Sequence, residues 1–168
     1  YDHPDLVGKM WNGTSCLSDT GAYLGWCNHG YDFWDDDFDP VDSDYVRWHG
    51  SHVAGIIGAQ ANNGTGMLGM APNVTIMSVK IFWTKSRATT SSVIRGINFA
   101  KHNGAKVINA SFGWGPFTPT TLSEFDLLTY NAIQDFPGIF VAAAGNNHAN
   151  SDFGRFYPAS YGTDLVVS

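Results

Sequence analysis

Apolar and polar positions are distributed differently in two parts of the chain. Residues 1–48 show little periodicity and are rich in Gly, Asp, Trp and Tyr, which predicts long loops. From His49 onward, apolar runs alternate with amphipathic stretches. The runs at 73–82 (NVTIMSVKIF), 105–112 (AKVINASF), 138–145 (GIFVAAAG) and 164–168 (DLVVS) read as strands. Their near-continuous apolar character predicts a mainly parallel sheet covered on both faces. Between them, residues 90–104 place Val93, Ile97 and Ala100 on one helical face, with Ser and Thr at the start and Gly104 at the end. Residues 121–136 repeat the pattern with Phe125, Leu128 and Ile133. The segment HGSHVAGIIGA, from His49, reads as a helix kept narrow by Gly50, Ser51, Ala54, Gly55 and Gly58, as if packed tightly on a sheet. Strand–helix–strand alternation with short connections predicts right-handed crossovers in a doubly wound α/β fold.

Composition narrows the class. The length of 168 residues suits one domain or part of one, and 43% hydrophobic with 14% charged residues describes a chain that folds around a core. A net charge of −6 without a Lys/Arg cluster argues against nucleic-acid binding. No apolar run reaches the roughly 18 residues of a membrane span. Cys16 and Cys27 could close a short loop, or remain reduced. Asn12-Gly13-Thr14, Asn63-Gly64-Thr65, Asn73-Val74-Thr75 and Asn109-Ala110-Ser111 fit the glycosylation acceptor pattern. With the cysteines they lean toward a secreted or extracytoplasmic protein.

Candidate chemistry centres on His49 and His52, which share one helical face. Taken alone, the pair could be a base, a packing element or a metal site, and no nearby Glu or third ligand favours zinc. Downstream, VAAAGNN (141–147) is a strand running into small residues and then Asn146, whose amide could donate to a developing oxyanion. INASFG (108–113) ends another strand at Ser111 and Gly113, whose backbone could pair with an extended peptide. A base, an oxyanion donor and a strand-like edge make a site for acyl transfer on peptides.

HGSHVAGIIGA, VINASFG, VAAAGNN and YPASYGTDLVVS, in this order, resemble the catalytic domain of subtilisin-like serine proteases, from HPDL at 3–6 to the last residue. The resemblance implies that His49 is the general base, that His52 packs, and that Asn146 lines the oxyanion hole. It implies that Ser111, Phe112 and Gly113, with Ala143, Ala144 and Gly145, flank the specificity pocket. It also implies that Ser86, Arg87 and Ala88 bind substrate backbone. Small residues at 143–145 would leave room for a large apolar side chain.

The family's aspartate and serine motifs have no counterpart. Asp19-Thr20-Gly21 spells the aspartate motif but follows HPDL instead of preceding it, and no buried strand leads into it. The expectation is a partial peptidase domain, 1–168, with a loop-rich segment (1–48) and an α/β core (49–168). The chain would then be inactive alone and complemented by the rest of the domain as another chain, or by a propeptide. The alternatives are a non-catalytic peptide- or partner-binding module and, less favoured, a metal-dependent hydrolase using His49, His52 and the aspartates.

Residues 32–44 crowd Asp32, Asp35, Asp37, Asp39, Asp42 and Asp44, which repel one another unless a hard cation or solvent offsets them. The resemblance implies structural calcium on Asp32, Asp35, Asp37 and Asp39. It implies a second calcium site at 60–69, with Asp5 and Asn63 giving side-chain oxygens and Ala61, Thr65 and Met67 giving carbonyls.

Overall fold

The computed structural model describes every residue except 43–47, 85–86, 118–121, 149, 151–152, 163, 165 and 168. The chain runs β1 (Cys16–Leu17), β2 (Tyr23–Gly25), β3 (Gly30–Asp32), α1 (His49–Gly58), β4 (Ser78–Lys80), β5 (Phe82–Thr84) and β6 (Arg87–Ala88). It continues with α2 (Thr90–His102), β7 (Val107–Ala110), β8 (Trp114–Phe117), α3 (Glu124–Gln134), β9 (Ile139–Ala142), β10 (Arg155–Tyr157) and β11 (Val166–Val167).

The parallel pairing expected from the apolar runs is present. β9 lies between β7 and β11, with register Val107↔Ile139 to Ala110↔Ala142 and Phe140↔Val166. Side chains alternate across this sheet as the pleat requires. Ala110, Phe140 and Ala142 are buried, whereas Val107, Ile139 and Val167 are about half exposed. Helices α2 and α3 pack on each other. Val93, Ile97, Phe99 and Ala100 of α2 join Ile133, Phe136 and Phe140 in one core. Each large apolar side chain buried there contributes about 1.5–3 kcal/mol.

Helix α2 starts as read, with a capping box in which Thr89 and Ser92 satisfy each other's backbone N–H. Helix α3 differs from the reading in its rotation. Ile133 is buried, but Phe125 and Leu128 are 65% and 47% exposed. The stripe facing the core is Thr129, Ala132, Ile133 and Phe136. Thr129 can lie there because its hydroxyl donates to the Phe125 carbonyl at 3.2 Å, which removes the cost of burying it.

Residues 1–42 are also more regular than read. They contain β1, β2 and β3, and β3 pairs in parallel with β4, Gly30↔Ser78 to Asp32↔Lys80. β1 and β2 form a hairpin closed by the Cys16–Cys27 disulfide, Cα–Cα 5.7 Å. The hairpin rests on α2. Leu17 donates its N–H to Asn103 Oδ1 at 2.8 Å, and Asn103 Nδ2 donates to the Leu17 carbonyl at 2.7 Å. Asp19 pairs with Arg95 Nε at 3.0 Å, so the aspartate of the misleading Asp19-Thr20-Gly21 motif is an anchor. Arg95 also reaches Asp36 at 2.8 Å and lies over the Phe33 ring.

Candidate active site

Helix α1 begins at His49 without a side-chain cap of its own, because Trp48 stands at the N-cap in the left-handed region (φ 55°). Asp42 supplies the cap from outside, its Oδ2 accepting the Ser51 N–H at 2.7 Å. A carboxylate there satisfies a free donor and complements the positive end of the helix. The far end is tied to the following loop by Met70 N–H to the Ile56 carbonyl (2.9 Å) and Ala71 N–H to the Ile57 carbonyl (2.7 Å). Gly58 packs so closely there that a β-carbon would meet Val74 at 3.0 Å and Ile76 at 3.2 Å. Among the described residues, the small-residue face of α1 is therefore buried at this end, against a loop and not a sheet.

His49 is exposed, and no described residue hydrogen-bonds its ring. His52 was expected to pack but is exposed as well. One turn on, Ile56 is 59% exposed, so this face of α1 is uncovered among the described residues.

Other predicted site residues lie where β7 and β9 end. Their last rung is Ala143 N–H to the Ala110 carbonyl at 3.1 Å. Beyond it, Ser111–Gly113 and Ala143–Gly145 leave the carboxyl ends of adjacent parallel strands, the place where open α/β sheets hold ligands. Ser111 Oγ accepts from Asn109 Nδ2 at 2.9 Å, and the Phe112 ring meets Phe82 edge-on at 5.7 Å. Gly145 has φ 97°, and exposed Asn146 follows it directly.

One side chain missed from sequence occupies this place. The Phe156 ring lies against both segments, so that a β-carbon on Gly113 would fall 2.3 Å from its Cε1. One on Gly145 would fall 3.3 Å from its Cγ. The only sequence signal was the set of glycines facing it.

On the other flank, Arg87–Ala88 is β6, paired antiparallel with β5 (Phe82↔Ala88), while Ser86 lies outside the described residues. Trp83 of β5 stacks on Trp34 at 4.7 Å. Among the described residues no hydrogen bond links α1 to β7 or β9.

The proposed metal ligands are arranged differently in the two loops. Among the described residues no group of three or more His, Cys, Asp or Glu side chains converges on one point. In the acidic loop, buried Asp32 accepts from Trp34 N–H (2.7 Å) and Asp35 N–H (3.1 Å) through Oδ1. Its Oδ2 makes no hydrogen bond of good geometry, yet Lys80 Nζ stands 2.5 Å away and neutralises it. At that distance the ion pair governs. Lys80 also lies 3.6 Å from Asp35. Burial opposes the Lys80 charge, but Asp32 and Asp35 outweigh it and raise the Lys80 pKa. Asp37 accepts from Asp39 N–H, and Asp39 from the Tyr1 hydroxyl. A cation ligated by Asp32, Asp35, Asp37 and Asp39 together does not fit while Lys80 holds Asp32.

The 60–69 loop instead closes around Asp5, which is 5% exposed. Met67 N–H donates to Asp5 Oδ2 at 2.9 Å and Asn63 Nδ2 to Oδ1 at 2.7 Å. Thr65 N–H donates to Asn63 Oδ1 at 3.1 Å. The Met67 N–H and then the Asn63 amide hold the Asp5 carboxyl below its ordinary pKa. Gly66 (φ 59°) passes so close that a β-carbon would strike Asp5 Oδ2. Asp5, Asn63 and the backbone carbonyls of this loop are a hard oxygen donor set, which fits calcium if the Asn63 amide turns its oxygen inward.

The subtilase family pattern matches residues 1–168. The chain is 38% identical over 167 residues to a thermophilic serine proteinase of Bacillus sp. (strain AK1), covering 99% of this chain and 35% of that protein. It is 34% identical over 169 residues to thermitase of Thermoactinomyces vulgaris, covering 99% of this chain and 50% of that protein. The crystal structure of a cold-adapted subtilisin-like serine proteinase superposes with a TM-score of 0.64 at 30% identity, over 94% of this chain and 46% of that one. The chain thus spans half or less of the length of these relatives, and it belongs to the subtilase family of serine proteases.

Proposed function

We propose that this chain supplies the base and the oxyanion donor of a serine endopeptidase that cleaves peptide bonds through an acyl-enzyme. The observation that carries the reading is a pair of exposed polar groups at element ends: His49 at the head of α1, and Asn146 just past β9 beside the diverging 111–113 and 143–145 segments. His49 would take the proton of a serine hydroxyl as it attacks the peptide carbonyl and return it to the leaving amine. Asn146 would donate its amide N–H to the oxygen as negative charge develops. The serine, and the aspartate that orients the imidazole, have no matching motif among these 168 residues and would come from elsewhere in the protein.

The test compares two preparations. The full-length protein is expected to cleave casein and to be labelled by a fluorophosphonate, and the 168-residue chain alone to do neither. Turnover by the short chain that His49→Ala abolishes would overturn the division of labour. A full-length protein that binds peptides but is neither labelled nor active would establish the non-catalytic binding module instead.

The same reading places the protein outside the reducing cytosol, supported by the Cys16–Cys27 bond. No described helix is long and apolar enough to cross a membrane. We further propose one structural calcium in the 60–69 loop, held by Asp5, Asn63 and the carbonyls of Ala61, Thr65 and Met67. Excess calcium should raise the melting temperature relative to chelator, because binding to the folded state alone stabilises it by mass action. Asp5→Asn should abolish that difference. Melts that coincide in calcium and chelator would remove the site.

A further inference from the structure

We propose that Phe156 is the specificity-determining floor of this site and restricts the protein to peptides with a small side chain, Ala, Ser or Gly, on the acyl side of the scissile bond. This inference rests on the peptidase reading and adds the substrate class to it.

The argument begins with the glycines. Gly113, Gly115 and Gly145 come from two different segments, and all three face one side chain. A β-carbon on Gly113 would lie 2.3 Å from Phe156 Cε1 and 2.8 Å from its Cζ. On Gly145 it would lie 3.3 Å from Cγ and Cδ2 and 3.4 Å from Cδ1, so the ring presents its face to Gly145 and its edge to Gly113. On Gly115 it would lie 3.4 Å from Cδ2. The ring therefore fills the space left between the two segments once β7 and β9 stop pairing.

The backbone that carries the ring is also held in place. Ser160 brackets the Phe156 backbone, with Phe156 N–H donating to Ser160 Oγ at 3.0 Å and Ser160 N–H to the Phe156 carbonyl at 2.8 Å. Its neighbour Tyr157 is buried and stacks on Tyr161 at 4.8 Å. Arg155 and Tyr157 pair with Phe117 and Trp114 of β8. A ring on a fixed backbone, packed against Gly113 and Gly145, does not swing aside at low cost.

Its position relative to the chemistry follows from the chain. Gly145 immediately precedes Asn146, the proposed oxyanion donor. A substrate carbonyl oxygen at the Asn146 amide thus places its own residue's side chain over Gly145, where the Phe156 ring face lies. A methyl or hydroxymethyl group rests on that ring, whereas Phe, Tyr or Leu needs the volume the ring occupies. The small residues at 143–145 make room, and Phe156 takes it back.

The experiment uses the full-length protein and a peptide-anilide series identical except for Ala, Ser, Leu or Phe on the acyl side. The matching product peptides are titrated calorimetrically. Wild type should favour Ala over Phe in kcat/KM by about 10- to 100-fold, the range set by a few methylenes in a fixed cavity. Phe156→Gly should lower that ratio by a similar factor, and Phe156→Val should fall between, which also guards against poor folding of the glycine variant. A wild type that cleaves Phe as well as Ala overturns the proposal and leaves the peptidase reading standing. So does an unchanged ratio in a Phe156 variant that still cleaves the Ala substrate. Neither cleavage nor product binding by wild type for any member overturns the peptidase reading, and this inference with it.

Discussion

Replacing His49 by alanine in the full-length protein is expected to lower kcat by about 10⁶-fold, a magnitude carried over from the same kind of knockout in subtilisin itself. That equals about 8 kcal/mol of transition-state stabilisation, at 1.36 kcal/mol per decade. No packing loss at an exposed position could supply so much, since His49 is solvent-facing and its ring has no described hydrogen bond to lose. The effect should lie in turnover, with substrate binding and melting temperature little changed. His52→Ala is the internal control. Its side chain is exposed on the same helical face, three residues on, and should leave turnover nearly intact. Removing the serine together with His49 should add little, because the two act as a unit. A loss below about tenfold in His49→Ala would require another base, and the assignment of α1 to the site would fail.

The largest expected effect on stability is at Lys80. Lys80→Met should destabilise the fold by about 3–5 kcal/mol, because it leaves a buried carboxylate without its counter-charge. Asp32 is 1% exposed, and its Oδ2 has no other partner among the described residues. The double variant Lys80→Met with Asp32→Asn should recover much of the loss. Asparagine keeps the oxygen that accepts from Trp34 and Asp35 and removes the unpaired charge. Urea unfolding of the four proteins measures this directly. A single-variant loss below about 1 kcal/mol would mean that solvent or a bound cation neutralises Asp32 without Lys80.

What could be read from sequence depended on whether a signal was local. Helix α2 was legible because its capping residues and its stripe of Val93, Ile97 and Ala100 sit within one short segment. The strands β7 and β9 were legible because parallel strands carry long apolar runs. Helix α3 was located correctly but rotated, since Phe125 and Leu128 outweigh Thr129 on any hydropathy scale. The Thr129 hydroxyl escapes that penalty through a bond to its own helix. In the first 48 residues, β3 is only three residues long and its partner β4 begins 46 residues after it ends, so no local pattern announces it. Within the site, His49 and Asn146 stood out by their flanking residues. Phe156 did not, because its meaning lies in glycines 11 to 43 positions upstream.

The disulfide-closed hairpin has a consequence for how the molecule opens. Its bond is local, spanning a separation of 11, whereas its docking contacts, Leu17 to Asn103 and Asp19 to Arg95, reach across 86 and 76 residues. The hairpin can thus persist as a small closed ring after it has left the body, and its attachment depends on α2 both at Arg95, in its first half, and at Asn103, its C-cap. Helix ends fray before helix centres. Breathing of the last turn of α2 therefore loosens the Leu17–Asn103 contact first, while full release of the hairpin also requires the Asp19–Arg95 pair, further back in the helix, to break.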